Sequence, residues 1–183
     1  KELKFVVPAS GLKEVEKILE DSDEPVRFTL GAKHILFEIG DATLVCRILE
    51  GEFIDWRRVV PTNSGTILTA NVAALMSSIE RVGLIVSEKV KSPVRCVFGD
   101  NVADFRTANT IGSAHDTCSI AGNGNELEIG FQCRYLLDAL RAVPDEEVTL
   151  EMQNGVSPLV FTPCDKSKPT FAYMVLPVRL RTN

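Results

Sequence analysis

The stretch from Leu127 to Val143, LEIGFQCRYLLDALRAV, joins an alternating strand to an amphipathic helix. Leu127–Phe131 alternates as a strand does when one face of its sheet is packed and the other is wet. A helix is predicted from about Gln132, and apolar residues at helical spacing predict its buried face: Leu136, Leu137, Leu140 and Val143. This strand and helix form the element from which the rest of the fold can be predicted.

The same succession occurs twice more, at intervals of about sixty residues. A strand ending at Phe5–Pro8 precedes a helix at Gly11–Glu20 with Ser10 as its predicted N-cap, and a strand near Thr66–Leu68 precedes a helix capped by Asn71. Alternating strands follow each helix, and turns are predicted at Gly31 and at 40–41, 99–101, 122–125 and 154–155. The chain is therefore predicted to repeat a β-α-β-β-β unit three times, which favours a modular scaffold over a single catalytic pocket.

The faces of the first two helices can be predicted in the same way. In the first helix the buried stripe is predicted as Leu12, Val15, Ile18 and Leu19, with Lys13 and Lys17 in solvent. In the second, the buried residues are predicted as Val72, Leu75, Met76, Ile79 and Val82. The opposite side of the second helix carries Ala74, Ser77, Ser78 and Arg81, and that of the third carries Arg134, Asp138 and Arg141.

Composition limits the possible functions. The chain has 183 residues of which 45% are hydrophobic, enough for one large core or two small ones. Its formal charge of −5 argues against a generally basic nucleic-acid surface but leaves room for a local one. The five cysteines are widely spaced without a C-x-x-C pair, so buried, reduced thiols are expected. No apolar run approaches the length of a membrane-spanning helix, and a cytoplasmic protein is expected.

Catalytic signals are missing from the sequence. The only histidines, His34 and His115, lie in predicted strands and have no recognisable nucleophile nearby. A phosphate-cradling glycine loop, an H-E-x-x-H sequence and zinc-type spacing are all absent, so neither a cofactor nor a metal is expected. The sequence therefore predicts a protein that is not an enzyme and has no catalytic residues.

The segment from Glu50 to Pro61 does not fit the repeat. It contains the only tryptophan, Trp56, and two adjacent arginines, and its apolar character predicts that it packs against a domain. Its sequence EFIDWRRVVP resembles the G-x-[FY]-P-[DN]-[YW]-x-x-[VL]-[IL]-P segment of the bacterial DNA polymerase III β subunit, the replicative sliding clamp. The run from Tyr173 to Leu180, YMVLPVRL, is similar to the closing strand of that family. The helix regions also match in order and spacing, so the resemblance covers nearly the whole chain.

The resemblance implies the DNA-clamp fold, in which β-α-β-β-β half-domains place helices on one face of antiparallel sheets. It implies that residues 1–60 are the second half of the middle domain plus a linker and that residues 61–183 are the C-terminal domain. On that interpretation the chain is a fragment that cannot close a ring alone, with residues 1–60 either looser than the rest or self-associating. Ile54 stands where the family often has Pro, and Arg181–Asn183 extend past the usual end.

By resemblance, the function would be that of a processivity factor in DNA replication. A clamp encircles duplex DNA without reading its sequence and tethers the polymerase III α subunit, the clamp loader and other proteins through short peptides, as a homodimer ring when full length. The DNA-facing cations would be Lys13, Lys17, Arg81, Arg134 and Arg141. The edge that meets the next protomer would contain Leu84 and Ile85.

The family's pocket for partner peptides lies at the junction of the middle and C-terminal domains. Carried over to this sequence, it comprises Ile54, Arg58, Val59, Gln132, Tyr135, Val156, Pro158, Met174, Leu176, Pro177, Val178 and Arg179. Apolar walls would accept Leu and Phe side chains, and the arginines would bind carbonyl groups or an acidic flank. The alternative is a stand-alone α+β peptide-binding module that never encircles DNA.

Overall fold

The computed structural model describes residues 3–61, 63–86, 92–165, 167 and 171–180. Arg181–Asn183, past the usual end of the family, lie outside the described residues. The chain divides into two compact units, Lys1–Trp56 and Arg57–Asn183, called here the first and the second unit. In the described part, no helix is long and apolar enough to cross a membrane.

The first unit contains one helix and a three-stranded antiparallel sheet. Its elements are α1 (Ala9–Ile18), β1 (Arg27–Leu30), β2 (His34–Ile39) and β3 (Ala42–Arg47), and the strand order is β1-β2-β3. Before α1, the predicted strand is reduced to one bridge between Val6 and Leu49. The buried core is small and consists of Val15, Ile35 and Phe37. The short helix α2 (Trp56–Val59) follows.

The second unit contains a six-stranded antiparallel sheet and two helices. Its elements are β4 (Thr66–Asn71), α3 (Val72–Gly83), β5 (Val94–Ala108), β6 (Ser113–Phe131), α4 (Cys133–Arg141), β7 (Glu147–Met152), β8 (Leu159–Pro163) and β9 (Tyr173–Val175). The strand order is β5-β6-β4-β7-β8-β9. One continuous core includes Leu75, Ile79, Phe131, Leu140 and Phe161. The predicted α+β class with antiparallel sheets is confirmed.

The long strand β5 folds back on itself near Asn101. The Thr107 hydroxyl donates to the carbonyl oxygen of Pro93 at 3.2 Å, whereas fourteen residues of straight strand would hold them roughly 46 Å apart. Asn101 adopts φ 56°, the left-handed conformation that tight turns require. In β6, Gly122 (φ 112°) and Asn125 (φ 51°) lie in the predicted turn at 122–125. The turns predicted at 99–101 and 122–125 are therefore confirmed, although the pairing of β5 with β6 continues on both sides of them.

The start of α1 was predicted wrongly. The helix begins at Ala9 rather than Gly11, its N-cap is Pro8, and no side chain caps it. The Pro8 carbonyl accepts hydrogen bonds from the backbone N–H groups of Gly11 and Leu12 at 2.9 and 3.2 Å, so Ser10 lies inside the first turn. Proline fits this position because its fixed φ matches the extended N-cap conformation and it has no N–H to satisfy. By contrast, the predicted cap of α3 is confirmed, since the Asn71 side chain accepts from the Ala74 N–H at 2.9 Å.

Burial differs from prediction on both of the first two long helices. Leu12 of α1 and Leu19, its C-cap, are 49% and 45% exposed, because no described part of the first unit covers them. Ser78 of α3, predicted on the solvent side, is only 1% exposed. Its hydroxyl donates to the Thr117 carbonyl oxygen at 3.4 Å, which is how a polar group is accommodated in a core. The buried face of α4 is confirmed at Leu136, Leu137, Leu140 and Val143.

Two other expectations also fail. In the segment 50–61, Phe53 and Ile54 are 74% and 70% exposed, so these two side chains are not buried as predicted. The cysteines are free thiols as expected, but Cys164 is exposed while Cys96 and Cys133 are buried. Cys164 directly follows the end of β8, where the chain leaves the sheet and its side chain is no longer covered.

Candidate functional site

The helix α4 and the strand β9 bring together the C-terminal residues predicted to bind peptides. Met174 of β9 pairs with Val160 of β8, and α4 packs against β9. The Tyr173 hydroxyl donates to the Ala142 carbonyl oxygen at 3.0 Å, which ties the start of β9 to the end of α4. The strand therefore holds Met174, and the residues after it, beside the helix that carries Tyr135.

The segment after β9 is attached to the end of β6. The Val178 N–H donates to the Gly130 carbonyl oxygen at 2.8 Å. Glycine suits this contact, because a Cβ atom at Gly130 would lie 2.9 Å from the Val178 carbonyl oxygen. Since Gln132 follows Gly130 by two residues and caps α4, this bond places Val178 close to the start of the helix.

The turn between β7 and β8 approaches the same part of β6. A Cβ atom at Gly155 would lie 2.7 Å from the Glu128 carbonyl oxygen, so the turn passes directly against the strand. The Asn154 side chain shapes the turn by accepting from the Val156 N–H at 3.0 Å and from the Ser157 hydroxyl at 2.9 Å. The predicted residue Val156 consequently lies on the same side of the unit as the end of β6.

These contacts gather nine predicted residues, which we call the C-terminal surface: Gln132, Tyr135, Val156, Pro158, Met174, Leu176, Pro177, Val178 and Arg179. Three of its large side chains, Tyr135, Val156 and Leu176, are 59%, 76% and 60% exposed. The residues beneath them are buried, including Phe131, Leu136, Leu159 and Val175. Exposed apolar groups on a rigid, well-packed base are the arrangement that a protein uses to bind another apolar group.

The other three predicted peptide-binding residues lie elsewhere along the chain. Ile54 belongs to the first unit, whereas Arg58 and Val59 lie in α2 at the beginning of the second. Val59 is 40% exposed. The contacts described above join other elements, and the role of these three residues stays a prediction.

An open groove of the second unit does not coincide with the C-terminal surface. Its volume is about 1110 Å³, its lining residues include Arg95, Arg106, His115 and Arg179, and only Arg179 belongs to both. The guanidinium of Arg106 donates to Asp104 at 2.6 and 2.9 Å, and the Arg95 guanidinium lies 2.6 Å from Glu128. Most cations of this groove are therefore already paired within the unit.

Asp104 is the centre of the charge pairs in the groove. His115 Nε2 lies 2.7 Å from its carboxylate, in addition to the two bonds from Arg106. Burial favours the neutral acid, but the hydrogen bonds from Arg106 and His115 outweigh it and lower the pKa of Asp104. This stabilisation is present above the unfolded pKa of about 3.9 and is lost as the pH falls through the lower folded value. At neutral pH the charge pairs of Asp104 therefore contribute to the stability of the second unit.

The predicted DNA-facing cations of the second unit are exposed and paired. Arg81 binds the Asp116 carboxylate, and its guanidinium also donates to the Ser78 hydroxyl at 3.1 Å. Arg134 lies 3.6 Å from Asp138, and Arg141 lies 3.7 Å from the same carboxylate. Arg141 further contacts Glu80 of α3 at 3.2 Å. Exposed pairs of this kind contribute little to stability, so the arginines can exchange partners.

The two cations of the first unit differ from each other. The Lys17 ammonium lies 2.7 Å from the Glu14 carboxylate, one turn earlier on α1. Lys13 is exposed on the same helix and has no ion pair with any residue in the described ranges. Neither arrangement tests whether these lysines face DNA.

The predicted protomer edge contains an apolar residue that the sequence reasoning missed. Leu84, at the end of α3, is 83% exposed, and the Ile85 carbonyl oxygen accepts from the Asn109 amide at 2.7 Å. The Asn109 side chain also accepts from the Ile111 N–H at 2.7 Å, which fixes the turn beside the end of α3. Ile111 is 70% exposed. An isoleucine in a turn between Asn109 and Gly112 was the available signal.

Comparisons with known proteins identify the family of the chain. A family model described as the C-terminal domain of the DNA polymerase III beta subunit matches residues 57–179, and the model of its central domain matches residues 1–55. A beta sliding clamp from Haemophilus influenzae is 28% identical over 176 residues, which cover 96% of this chain and 47% of that protein. The chain spans about half the length of the curated relatives it matches.

Solved structures that resemble this chain belong to the same family. The DNA polymerase III subunit beta of Pseudomonas aeruginosa superimposes with a TM-score of 0.79 at 27% identity, covering 96% of this chain and 48% of that one. The sliding clamp of Bartonella birtlesii bound to griselimycin gives 0.80 at 26% identity, covering 96% and 47%. The predicted clamp fold is confirmed, and the chain belongs to the DNA polymerase III beta subunit family.

Proposed function

We propose that this chain acts in DNA replication as part of a sliding clamp, a processivity factor that encircles duplex DNA. In this role residues 1–60 are the second half of the clamp's middle domain plus a linker, and residues 61–183 are its C-terminal domain. The support is that the two units match successive domains of one family. A clamp performs no chemistry, so the chain acts by holding partners on DNA, in the bacterial cytoplasm where its relatives replicate the chromosome.

The DNA would face the helices. Arg81, Arg134 and Arg141 present exposed guanidinium groups on α3 and α4, and Lys13 and Lys17 present exposed ammonium groups on α1. Each pairing that involves these groups is solvent-exposed, so phosphates can compete with the carboxylates for them. Contacts of this kind carry no sequence information, as a protein that moves along DNA requires.

The C-terminal surface would bind the short peptides by which polymerase, clamp loader and other proteins attach. The observation that carries this proposal is the group of exposed apolar side chains at Tyr135, Val156 and Leu176 on a buried base. Leu and Phe side chains of a peptide would cover them, and Arg179 would bind a carbonyl group or an acidic residue. Ile54, Arg58 and Val59 are proposed to complete the site.

The end of α3 would form the contact with a second protomer. Leu84 and Ile111 are both exposed, and the Asn109 side chain bonds to Ile85, which follows Leu84, and to Ile111 itself. Burying them against another clamp subunit would remove two large apolar side chains from water.

The peptide proposal can be tested by fluorescence anisotropy with a labelled peptide of the Gln-Leu-x-Leu-Phe type. We expect saturable binding in the micromolar range. Leu176→Ala should weaken it by about tenfold, because a truncated apolar anchor removes roughly 1–2 kcal/mol of contact. Ile67→Ala is the matched control, since Ile67 has the same 60% exposure but lies on β4, outside the C-terminal surface. Equal loss in both variants, or no binding by the parent chain, would contradict the proposed site.

A further inference from the structure

The open groove of the second unit is lined by side chains of one charge sign. Its lining includes Arg95, Arg106, Arg179 and His115, and we call these four residues the basic groove. Among the residues that the structure describes, no carboxylate lines the same space, although the chain as a whole has a formal charge of −5. A cleft with charge of one sign raises the local concentration of ligands of the other sign. The basic groove is therefore suited to an anionic ligand.

The carboxylate that binds two of these cations is recessed behind them. The Asp104 side chain is 17% exposed, whereas the side chains of Arg106 and His115 are 61% and 56% exposed. Arg106 donates to Asp104 through Nε and Nη2, which uses two of the five N–H donors of its guanidinium. Asp104 therefore orients Arg106 and leaves its other donors available to a ligand in the groove.

Arg95 has a partner that a ligand can replace. Its guanidinium lies 2.6 Å from the Glu128 carboxylate, and the two side chains are 42% and 41% exposed. An exposed pair of this kind contributes little free energy. A carboxylate of a ligand can therefore displace Glu128 from Arg95, or bind beside it, at small cost.

The basic groove begins at the C-terminal surface, because Arg179 belongs to both. The Val178 N–H donates to the Gly130 carbonyl oxygen, and Gly130 pairs on its other side with Arg95 of β5. Neighbouring strands lie about 4.8 Å apart, so the backbones of Val178 and Arg95 are separated by roughly 10 Å. An extended segment of about three residues spans that distance. A short peptide can therefore contact the C-terminal surface and the basic groove at once.

We propose that the basic groove binds the acidic flank of a peptide whose apolar residues lie on the C-terminal surface. The proposal rests on the peptide binding proposed above, and it names the class of the partner segment. That segment has two or more Asp or Glu residues within about three positions of its apolar anchors. The first carboxylate binds Arg179 and Arg95. The next carboxylate reaches Arg106 and His115.

The arginines make the groove selective for the charge of the flank. A planar guanidinium donates two parallel N–H bonds to one carboxylate, which a neutral side chain does not match. A basic flank would place like charges next to each other, and this opposes binding. Because the groove is open to solvent, the gain in affinity is moderate and is reduced by salt.

Fluorescence anisotropy of three labelled peptides with the full chain tests the proposal. The first is a Gln-Leu-x-Leu-Phe-type core, the second adds a run of Glu to one end of it, and the third adds a run of Lys instead. Both ends are tested. We expect the Glu run at one end to tighten binding about fivefold in about 0.05 M salt and less than about twofold in about 0.5 M salt. The Lys run should tighten binding at neither end.

The outcomes separate this proposal from the peptide site itself. If the core peptide binds but the Glu run adds nothing at either end, the basic groove does not receive an acidic flank and the peptide site stands. If a Lys run tightens binding as much as a Glu run, the gain is not due to the arginines, and the proposal is overturned. If neither the core nor its extended forms bind, both proposals fail.

Two variants place the gain within the groove. Arg95→Gln and Arg106→Gln should each remove at least about half of the gain from the Glu run, because each loses a charged partner of the flank. Arg47→Gln is the matched control, since Arg47 is an exposed arginine on β3 that does not line the basic groove. The gain is a ratio of two affinities measured on the same variant, so a general loss of stability does not imitate its loss. A gain that survives in both groove variants, or that falls equally in Arg47→Gln, would overturn the proposal.

Discussion

The first unit contains the motif once, and the second contains it twice as a joined pair. The number of core residues differs between the units by far more than a factor of two. Among the described residues, the core of the first unit consists of three, Val15, Ile35 and Phe37, whereas twenty-five form the core of the second. A single copy covers only the side chains between its helix and its sheet. The pair also covers both strand edges and the facing sides of the helices, because each copy supplies the surface that the other lacks.

The comparison can be tested most strongly at one shared position. Leu12 and Leu75 lie at the same place on their helices but are 49% and 1% exposed. Leu75→Ala should lower the unfolding free energy of the second unit by about 2–5 kcal/mol, because it leaves a cavity in a packed core. Leu12→Ala should lower that of the first unit by less than about 1 kcal/mol. Urea unfolding of dilute, monomeric samples measures both, and equal losses would mean that the exposure of Leu12 does not describe the monomer.

Thiol labelling compares the opening of the two cores within one molecule. Cys46 packs against α1 at Gly11, whereas Cys96 lies in the core of the second unit, where burial raises its thiol pKa. We expect Cys46 to react about a hundredfold faster than Cys96, because Cys46 is only partly buried and the smaller unit opens at lower free energy. Mass spectrometry after timed alkylation measures the ratio, with the exposed Cys164 as the fast internal control. A ratio near one would show that the units open together.

The smallest expected difference is between the N-caps of the two helices in the second unit. Asn71 caps α3 through its side chain, whereas Gln132 occupies the same position on α4 without such a bond. Asn71→Ala should destabilise the second unit by about 1 kcal/mol, and Gln132→Ala should change its stability by only a few tenths. Thermal unfolding followed by circular dichroism checks both. If the two variants behave alike, the hydrogen bond from Ala74 contributes nothing measurable.

The parts of the fold that the sequence predicts are those that local pattern controls. The buried face of α4 follows from the spacing of four apolar residues, and the turn at Asn101 follows from residues that tolerate positive φ. Leu12 and Leu19 show the same spacing yet are exposed, because burial also requires a facing surface that a helix pattern does not contain. Ser78 is the reverse case, since a polar residue is buried once its hydroxyl finds the Thr117 carbonyl oxygen.

The candidate site could be predicted only in part for a related reason. Tyr135, Val156 and Leu176 were assigned by resemblance, and nothing in their local pattern says that a turn, a helix and a C-terminal strand meet there. The contacts that bring them together, such as the Val178 N–H to Gly130 bond, join residues far apart in sequence. Ile111 was missed because the Asn109 side-chain amide, and not a periodic pattern of residues, connects its segment to the end of α3.

The sharing of Asp138 by two arginines has a consequence for movement. Arg134 and Arg141 lie 3.6 and 3.7 Å from this one carboxylate, and Arg141 has a second acceptor in Glu80. A guanidinium that has two exposed acceptors of similar strength changes little in energy when a phosphate replaces one of them. For a protein diffusing along a duplex, such groups would keep the energy nearly constant from one phosphate to the next, so the friction opposing lateral motion would be low.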